Sequence, residues 1–140
     1  MRLLKSILLV VAGSTLFTNS IQAQERISDH VILISIDGFR PEFYNESKWP
    51  VPNMKDLKNH GVTASGVRGV FPSVTYPSHT TLVTGALPAN HGIYYNSPFE
   101  YDMPSEKWYW EYNLIQTPTL WDAVKAKGLT SASFIWPVSV

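Results

Sequence analysis

The sequence predicts an α/β protein with a largely parallel sheet and flanking helices. Two observations indicate this class. The apolar segment over residues 31–36 is continuous instead of alternating, which is typical of a strand buried on both faces. Helical patterns lie between the predicted strands, near residues 53–59 and 117–128, as in a chain that alternates strands and helices.

Composition sets outer limits on the protein. A chain of 140 residues accommodates one domain at most, and 44% hydrophobic with 13% aromatic residues favours a globular fold. Eleven basic and eleven acidic residues balance, so the charge indicates neither a nucleic-acid surface nor attraction to anionic membranes. Three strands and three helices cannot cover a sheet on both faces. We therefore expect the first part of a longer domain.

Residues 1–23 are predicted to be a secretory signal peptide, which leaves residues 24–140 for the fold. Arg2 and Lys5 precede an apolar run over residues 7–17, and Ala23 fits the last position before cleavage. A membrane anchor is disfavoured because a spanning helix needs about 20 apolar residues. We expect a secreted or periplasmic protein.

Cysteine is absent from the chain, so an exported form cannot use disulfides. Thiolate zinc sites are excluded for the same reason. A metal site in this chain would need histidine, carboxylate or hydroxyl ligands.

The first predicted strand, residues 31–36, ends directly before Asp37 and Gly38. An acid at the carboxyl end of a buried strand lies where open α/β sheets bind their ligands. The alternative is an ordinary Asp-Gly turn. A helix is then predicted with Asn53 as its N-cap and Gly61 at its end.

A second strand is predicted over residues 62–70, followed by a loop that contains Pro72 and Pro77. Because proline restricts the residue before it, we expect Thr75 and Tyr76 to be extended. A helix over residues 78–84 would follow and end at Gly85. A Thr75 hydroxyl at that helix start is either a cap or a nucleophile beside an anion-binding N-terminus.

Aromatic residues crowd the connection over residues 97–113, where they would wall a binding cleft or form a small satellite core. Thr117 then predicts an N-cap, with Pro118 as the first helical residue and Gly128 as the stop. Residues 129–136 are predicted to be the third strand.

Two motifs together resemble a known family. They are the segments LISIDGFR (33–40) and FPSVTYPSH (71–79), and they are similar to the nucleotide pyrophosphatase/phosphodiesterase family of the alkaline phosphatase superfamily. The spacing agrees, since Asp37 precedes Thr75 by 38 residues (75 − 37) and Asn96 follows it by 21 (96 − 75). The resemblance covers residues 31–140.

The resemblance implies an alkaline-phosphatase-like catalytic domain with two zinc ions. Asp37 would be a zinc ligand, and Thr75 would be both zinc-bound and the nucleophile that forms a phospho-threonine. Asn96 would donate a hydrogen bond to a phosphoryl oxygen. Tyr76 would stack on the substrate's base, with ordinary loop packing as the alternative. The remaining zinc ligands of the family's pattern would lie beyond residue 140, so we expect the isolated chain to be inactive and to bind zinc weakly.

His79 and His91 match no metal ligand in the resembled pattern, so we expect structural hydrogen bonds from both. Ser78 and Pro98 depart from the residues that are frequent in the family, which leaves the nucleotide preference open.

The resemblance implies hydrolysis of phosphodiester or pyrophosphate bonds in a small, nucleotide-like substrate. Two alternatives stay open. One is a phosphomonoesterase or phosphotransferase of the same superfamily, and the other is a non-catalytic exported binding module that uses the aromatic connection.

Overall fold

A computed structural model describes residues 28–99, 101 and 107–140 of the chain. The chain divides into two units, residues 1–35 and 36–140. In the first unit, the described residues 28–35 are exposed and form neither helix nor strand. The predicted signal peptide lies outside the described residues and stays a prediction.

The second unit is helical where it is regular. Its elements are α1 (Glu42–Asn45), α2 (Pro52–His60), α3 (Thr75–Thr84), α4 (Pro88–His91), a 3-10 turn (Tyr112–Leu114) and α5 (Leu120–Ala126). Helix α1 packs against α2, while α3 packs against both α4 and α5. Helix α3 is therefore the element around which the second half of the chain is arranged.

Helix α2 begins two residues earlier than the sequence predicts. Pro52 is its first residue and Val51 its N-cap, so the prediction of Asn53 as the cap is wrong. Proline is favoured at the first helical position because its fixed φ suits the helix and its missing N–H would have no helical partner there. The predicted end is confirmed, because the Gly61 N–H donates to the Leu57 carbonyl at 2.8 Å.

Helix α5 begins later than predicted. Its N-cap is Thr119 and not Thr117, because Asp122 at the third helical position completes a capping box with Thr119. The Thr119 side chain accepts from the Asp122 N–H, and the Asp122 carboxylate accepts from the Thr119 N–H at 2.7 Å. Tyr112 Oη also donates to this carboxylate, at 2.5 Å, and these hydrogen bonds lower the pKa of Asp122.

The three segments predicted as strands contain no strand in the part of the chain that the structure describes. Their apolar side chains are largely exposed, as at Ile32, Val62 and Phe134. A β-strand needs a partner that accepts and donates its ladder hydrogen bonds, and no described segment pairs with another in this way. The α/β class and its parallel sheet stay predictions.

The apolar core lies against helix α3. Tyr76, Ile93 and Val138 are buried together, and Tyr109 and Ile115 pack on this cluster. Tyr76 belongs to the first turn of α3, so the core lies at the same helix end as the predicted nucleophile. Among the described residues, none of the helices has the length and apolar character needed to cross a membrane.

Candidate active site

The site is built on the first turn of α3, where Thr75 is the first helical residue. Val74 before it is extended, and the Ser78 N–H donates to the Val74 carbonyl at 3.2 Å. At the other end, Gly85 adopts the left-handed conformation (φ 66°) and its N–H closes on the Thr81 carbonyl. The predicted helix end at Gly85 is confirmed.

The expectation that Thr75 and Tyr76 are extended is wrong, because both belong to the helix. Pro77 is then the third helical residue, where no backbone N–H is needed. The conformational restriction that proline places on Tyr76 is offset by two contacts of that residue. Its N–H donates to Asn96 Oδ1 at 2.9 Å, and its ring is buried.

The Thr75 hydroxyl contacts the predicted carboxylate. Thr75 Oγ1 donates to Asp37 Oδ2 at 2.9 Å, although 38 residues separate the two in sequence. No side chain caps the N-terminus of helix α3. The Thr75 hydroxyl instead donates its hydrogen bond to the Asp37 carboxylate. Asp37 is exposed and Thr75 partly so, which leaves both oxygens open to a ligand from solvent.

Asn96 lies beside the same helix start. Its Oδ1 accepts the Tyr76 N–H, which leaves the side-chain amide nitrogen as the donor that Asn96 can offer to a ligand. Its backbone carbonyl accepts from the Tyr109 N–H at 3.1 Å, which holds the residue from a second side. Three of the four predicted site residues, Asp37, Thr75 and Asn96, therefore lie together. Asp37 accepts a hydrogen bond from Thr75, and Asn96 accepts one from the backbone of the next residue, Tyr76.

The fourth predicted residue, Tyr76, is adjacent in the chain, but its ring is only 6% exposed. The ring packs against Trp108 and Trp110, with ring centroids 5.3 and 6.3 Å away. Burial raises the pKa of the Tyr76 phenol. The described contacts are those of a core residue, and its role in substrate binding stays a prediction.

Both histidines near α3 have protein partners. His79 Nδ1 donates to the Thr75 carbonyl at 2.8 Å, and its ring meets Trp136 edge-on. His91 is fully buried, and its Nδ1 accepts the Ile93 N–H at 3.1 Å. Because that nitrogen accepts, Nε2 of the neutral ring carries the proton and donates to Thr81. Burial lowers the pKa of His91.

The donor types at the site suit zinc in part. The carboxylate of Asp37 and the hydroxyl of Thr75, within hydrogen-bond distance of each other, are oxygen donors, and carboxylate oxygen is a zinc ligand in proteins. Within the described ranges, no group of three His, Cys, Asp or Glu side chains could hold a metal ion. A catalytic zinc site takes at least three protein ligands, so these two residues alone could not form one, and their role as zinc ligands stays a prediction.

The sequence left the aromatic connection open between a cleft wall and a satellite core. Of its described residues, Tyr109 packs on the core, and Trp108 and Trp110 contact Tyr76 and stay about half exposed. The role of the connection as a cleft wall stays a prediction.

The chain belongs to the type I phosphodiesterase/nucleotide pyrophosphatase family, whose sequence pattern matches residues 31–140. It is 33% identical over 120 residues to ectonucleotide pyrophosphatase/phosphodiesterase family member 3 of Bos taurus, covering 78% of this chain and 13% of the relative. It is 32% identical over 117 residues to bis(5'-adenosyl)-triphosphatase enpp4 of Xenopus laevis, covering 78% and 24%. It is also 32% identical over 149 aligned positions to family member 5 of Homo sapiens, covering 96% and 28%.

The chain therefore spans between about an eighth and somewhat over a quarter of the length of these relatives. No solved structure matches it significantly.

Proposed function

We propose that the protein hydrolyses phosphodiester or pyrophosphate bonds of a small nucleotide-like substrate, with Thr75 as the nucleophile. The observation that carries the proposal is the hydrogen bond from Thr75 Oγ1 to Asp37 Oδ2, 2.9 Å long, at the N-terminus of α3. Family membership supports it, as do relatives named as phosphodiesterases, nucleotide pyrophosphatases and a bis(5'-adenosyl)-triphosphatase.

In the first step, Thr75 Oγ1 attacks phosphorus and the bond from phosphorus to the leaving oxygen breaks. The proton lost by the Thr75 hydroxyl ends on the leaving oxygen, so the products are a phospho-threonine and a free alcohol or phosphate. In the second step, water attacks the same phosphorus and the bond between phosphorus and Thr75 Oγ1 breaks. One water proton goes to Thr75 Oγ1, which restores the hydroxyl, and the water oxygen stays on phosphorus. The contact with Asp37 holds the hydroxyl in one orientation before attack, which saves part of the entropy cost of the reaction.

The helix start supplies electrostatic stabilisation. The Asn96 amide nitrogen can donate to a phosphoryl oxygen, because its Oδ1 is held by the Tyr76 N–H. The N-terminus of α3 adds the positive end of the helix dipole. Neither group has to reorganise as negative charge develops on the phosphoryl oxygens.

Asp37 and Thr75 would contribute to a zinc site, which other ligands of the protein must complete. Zinc bound there would make the hydroxyl acidic enough to react near neutral pH. We also propose that the protein is exported and cleaved after Ala23. The charged start and apolar run of residues 1–23 support this, and N-terminal sequencing of the mature protein tests it.

The function is tested on the protein expressed from its complete reading frame and supplied with zinc. A chromogenic phosphodiester is compared with the matching monoester. We expect diester turnover that falls by at least about a thousandfold in Thr75→Ala and is partly kept in Thr75→Ser. Thr63→Ala is the matched control, because that exposed hydroxyl only contacts the Lys58 carbonyl at 3.4 Å.

Two outcomes would contradict the proposal. Full activity of Thr75→Ala would exclude this hydroxyl as the nucleophile. A clear preference for the monoester would indicate the phosphomonoesterase alternative.

A further inference from the structure

The peptide group that follows the proposed nucleophile is held by two side chains. Its carbonyl, that of Thr75, accepts from His79 Nδ1 at 2.8 Å. Its N–H, that of Tyr76, donates to Asn96 Oδ1 at 2.9 Å. Because a peptide group is planar and nearly rigid, hydrogen bonds at its oxygen and at its nitrogen together set the orientation of the plane. They therefore also restrict the backbone that carries the Thr75 hydroxyl and its contact with Asp37.

The bond from the His79 side chain is not needed to satisfy the Thr75 carbonyl. In the regular pattern of helix α3, this carbonyl already accepts the backbone N–H of His79. The imidazole adds a second donor to an oxygen that has two lone pairs. Replacing the side chain therefore leaves the carbonyl with a partner, so the helix should persist. What the imidazole adds is a fixed direction for the peptide plane.

The His79 ring is itself held in place. It is 8% exposed and meets the Trp136 ring edge-on, with centroids 5.3 Å apart and planes inclined by 75°. Trp136 packs in turn on Trp121 of α5, at 6.2 Å between centroids. A side chain enclosed in this way has little freedom to change rotamer. It also has little surface for a ligand from solvent, so its effect on the reaction passes through Thr75.

We propose that His79 is a positioning residue of the reaction: with Asn96 it clamps the peptide group after Thr75 and keeps the nucleophilic hydroxyl in the orientation for attack. This inference rests on the proposed function. A nucleophile that is oriented in advance lowers the entropy cost of the transition state, and a small displacement slows the reaction while the substrate still binds. The expected signature of His79 is therefore a loss of kcat at an unchanged KM.

The test measures kcat and KM for the phosphodiester in the complete protein with zinc. His79→Asn and His79→Leu have side chains of nearly equal size, but only asparagine places an amide N–H where Nδ1 lies. We expect His79→Leu to lower kcat by about tenfold or more with KM within about twofold of the parent. His79→Asn should keep at least about a third of the parent kcat.

The matched control is His60, which makes the same kind of contact away from the site. Its Nδ1 lies 3.1 Å from the Asp56 carbonyl, four residues back in α2, and its side chain is exposed. His60→Asn and His60→Leu should both leave kcat unchanged.

A second pair of variants keeps the inference testable if His79→Leu does not fold. Threonine side chains in α3 already donate to the carbonyl four residues back, as Thr80 does to Tyr76 at 2.8 Å and Thr84 does to Thr80 at 2.7 Å. His79→Thr can therefore donate to the Thr75 carbonyl, whereas His79→Val, of the same shape, cannot. We expect the threonine variant to have the higher kcat.

Three results would overturn the inference. One is an unchanged kcat in His79→Leu. Another is an equal kcat within the Asn and Leu pair or within the Thr and Val pair, because packing and not the donor would then matter. The third is a rise in KM at constant kcat, which indicates substrate binding. The proposed function fails on a different readout, full turnover of Thr75→Ala, so the two failures are distinguishable.

Discussion

Asn96 offers the sharpest test of the site because its two side-chain atoms have separate roles. Oδ1 accepts the N–H of Tyr76, and the amide nitrogen is the proposed donor to the phosphoryl group. Asn96→Asp keeps the acceptor and removes the donor. Asn96→Ala removes both. The pair of variants therefore separates the stability of the helix start from catalysis.

The two variants should change the free energy of unfolding in opposite directions. In Asn96→Ala, the Tyr76 N–H at a buried helix start loses its acceptor, which costs about 1–3 kcal/mol of the free energy of unfolding. Asn96→Asp retains the bond and places a negative charge at the N-terminus of α3, which the helix dipole favours by about 0.3–1 kcal/mol. Asn45→Ala is the control, because that exposed side chain only accepts from Lys58 and should change stability by less than about 0.5 kcal/mol.

Turnover should fall strongly even in Asn96→Asp, the variant that keeps its stability. Asn96→Asp loses the donor and adds charge beside the phosphate, so kcat should fall by about a hundredfold or more despite a stable fold. Urea unfolding and diester turnover of the complete protein measure the two effects. Turnover of Asn96→Asp close to that of the parent would refute the donor role. Unchanged stability of Asn96→Ala would refute the argument from the buried N–H.

Three further predictions concern stability. Thr119→Ala should cost about 0.5–2 kcal/mol in urea unfolding by removing the capping box of α5, and Thr119→Ser should restore most of it. Burial lowers the pKa of His91, so the unfolded chain binds the proton before the folded chain does as pH falls below about 6.5. The free energy of unfolding should therefore decrease as pH falls below about 6.5 and level off below the folded pKa. In His91→Gln, it should vary less with pH. Gly92→Ala should destabilise more than Gly85→Ala: both have positive φ, but only at Gly92 would a Cβ lie 2.6 Å from the Gln116 amide nitrogen. Equal losses at the two glycines would contradict this steric argument.

The sequence predicted helix ends correctly where a single glycine ends the helix. Gly61 and Gly85 end their helices as predicted, because their N–H groups close on carbonyls four residues back. Helix starts were harder to predict, since several capping residues compete within a few positions. Thr117 and Thr119 are both good caps by type, and only the reciprocal bond with Asp122 selects Thr119.

Local sequence signals are weaker evidence for strands than for helices. A helix satisfies its hydrogen bonds within one segment, whereas a strand depends on a neighbour elsewhere in the chain. The continuous apolar run at residues 31–36 and the segment at residues 129–136 predict strands, yet the described residues offer them no partner. The predicted parallel sheet therefore remains a prediction from pattern and family resemblance.

By itself, the sequence determined the family and the residues that carry its motifs, because spacing such as that of Asp37, Thr75 and Asn96 is read directly along the chain. Only the tertiary structure decided which atoms meet. It places Thr75 Oγ1 on the Asp37 carboxylate and Asn96 Oδ1 on a backbone N–H of α3. It also buries the Tyr76 ring and leaves Trp108 partly exposed. Burial and long-range contacts depend on how distant segments pack, which residue type and spacing do not specify.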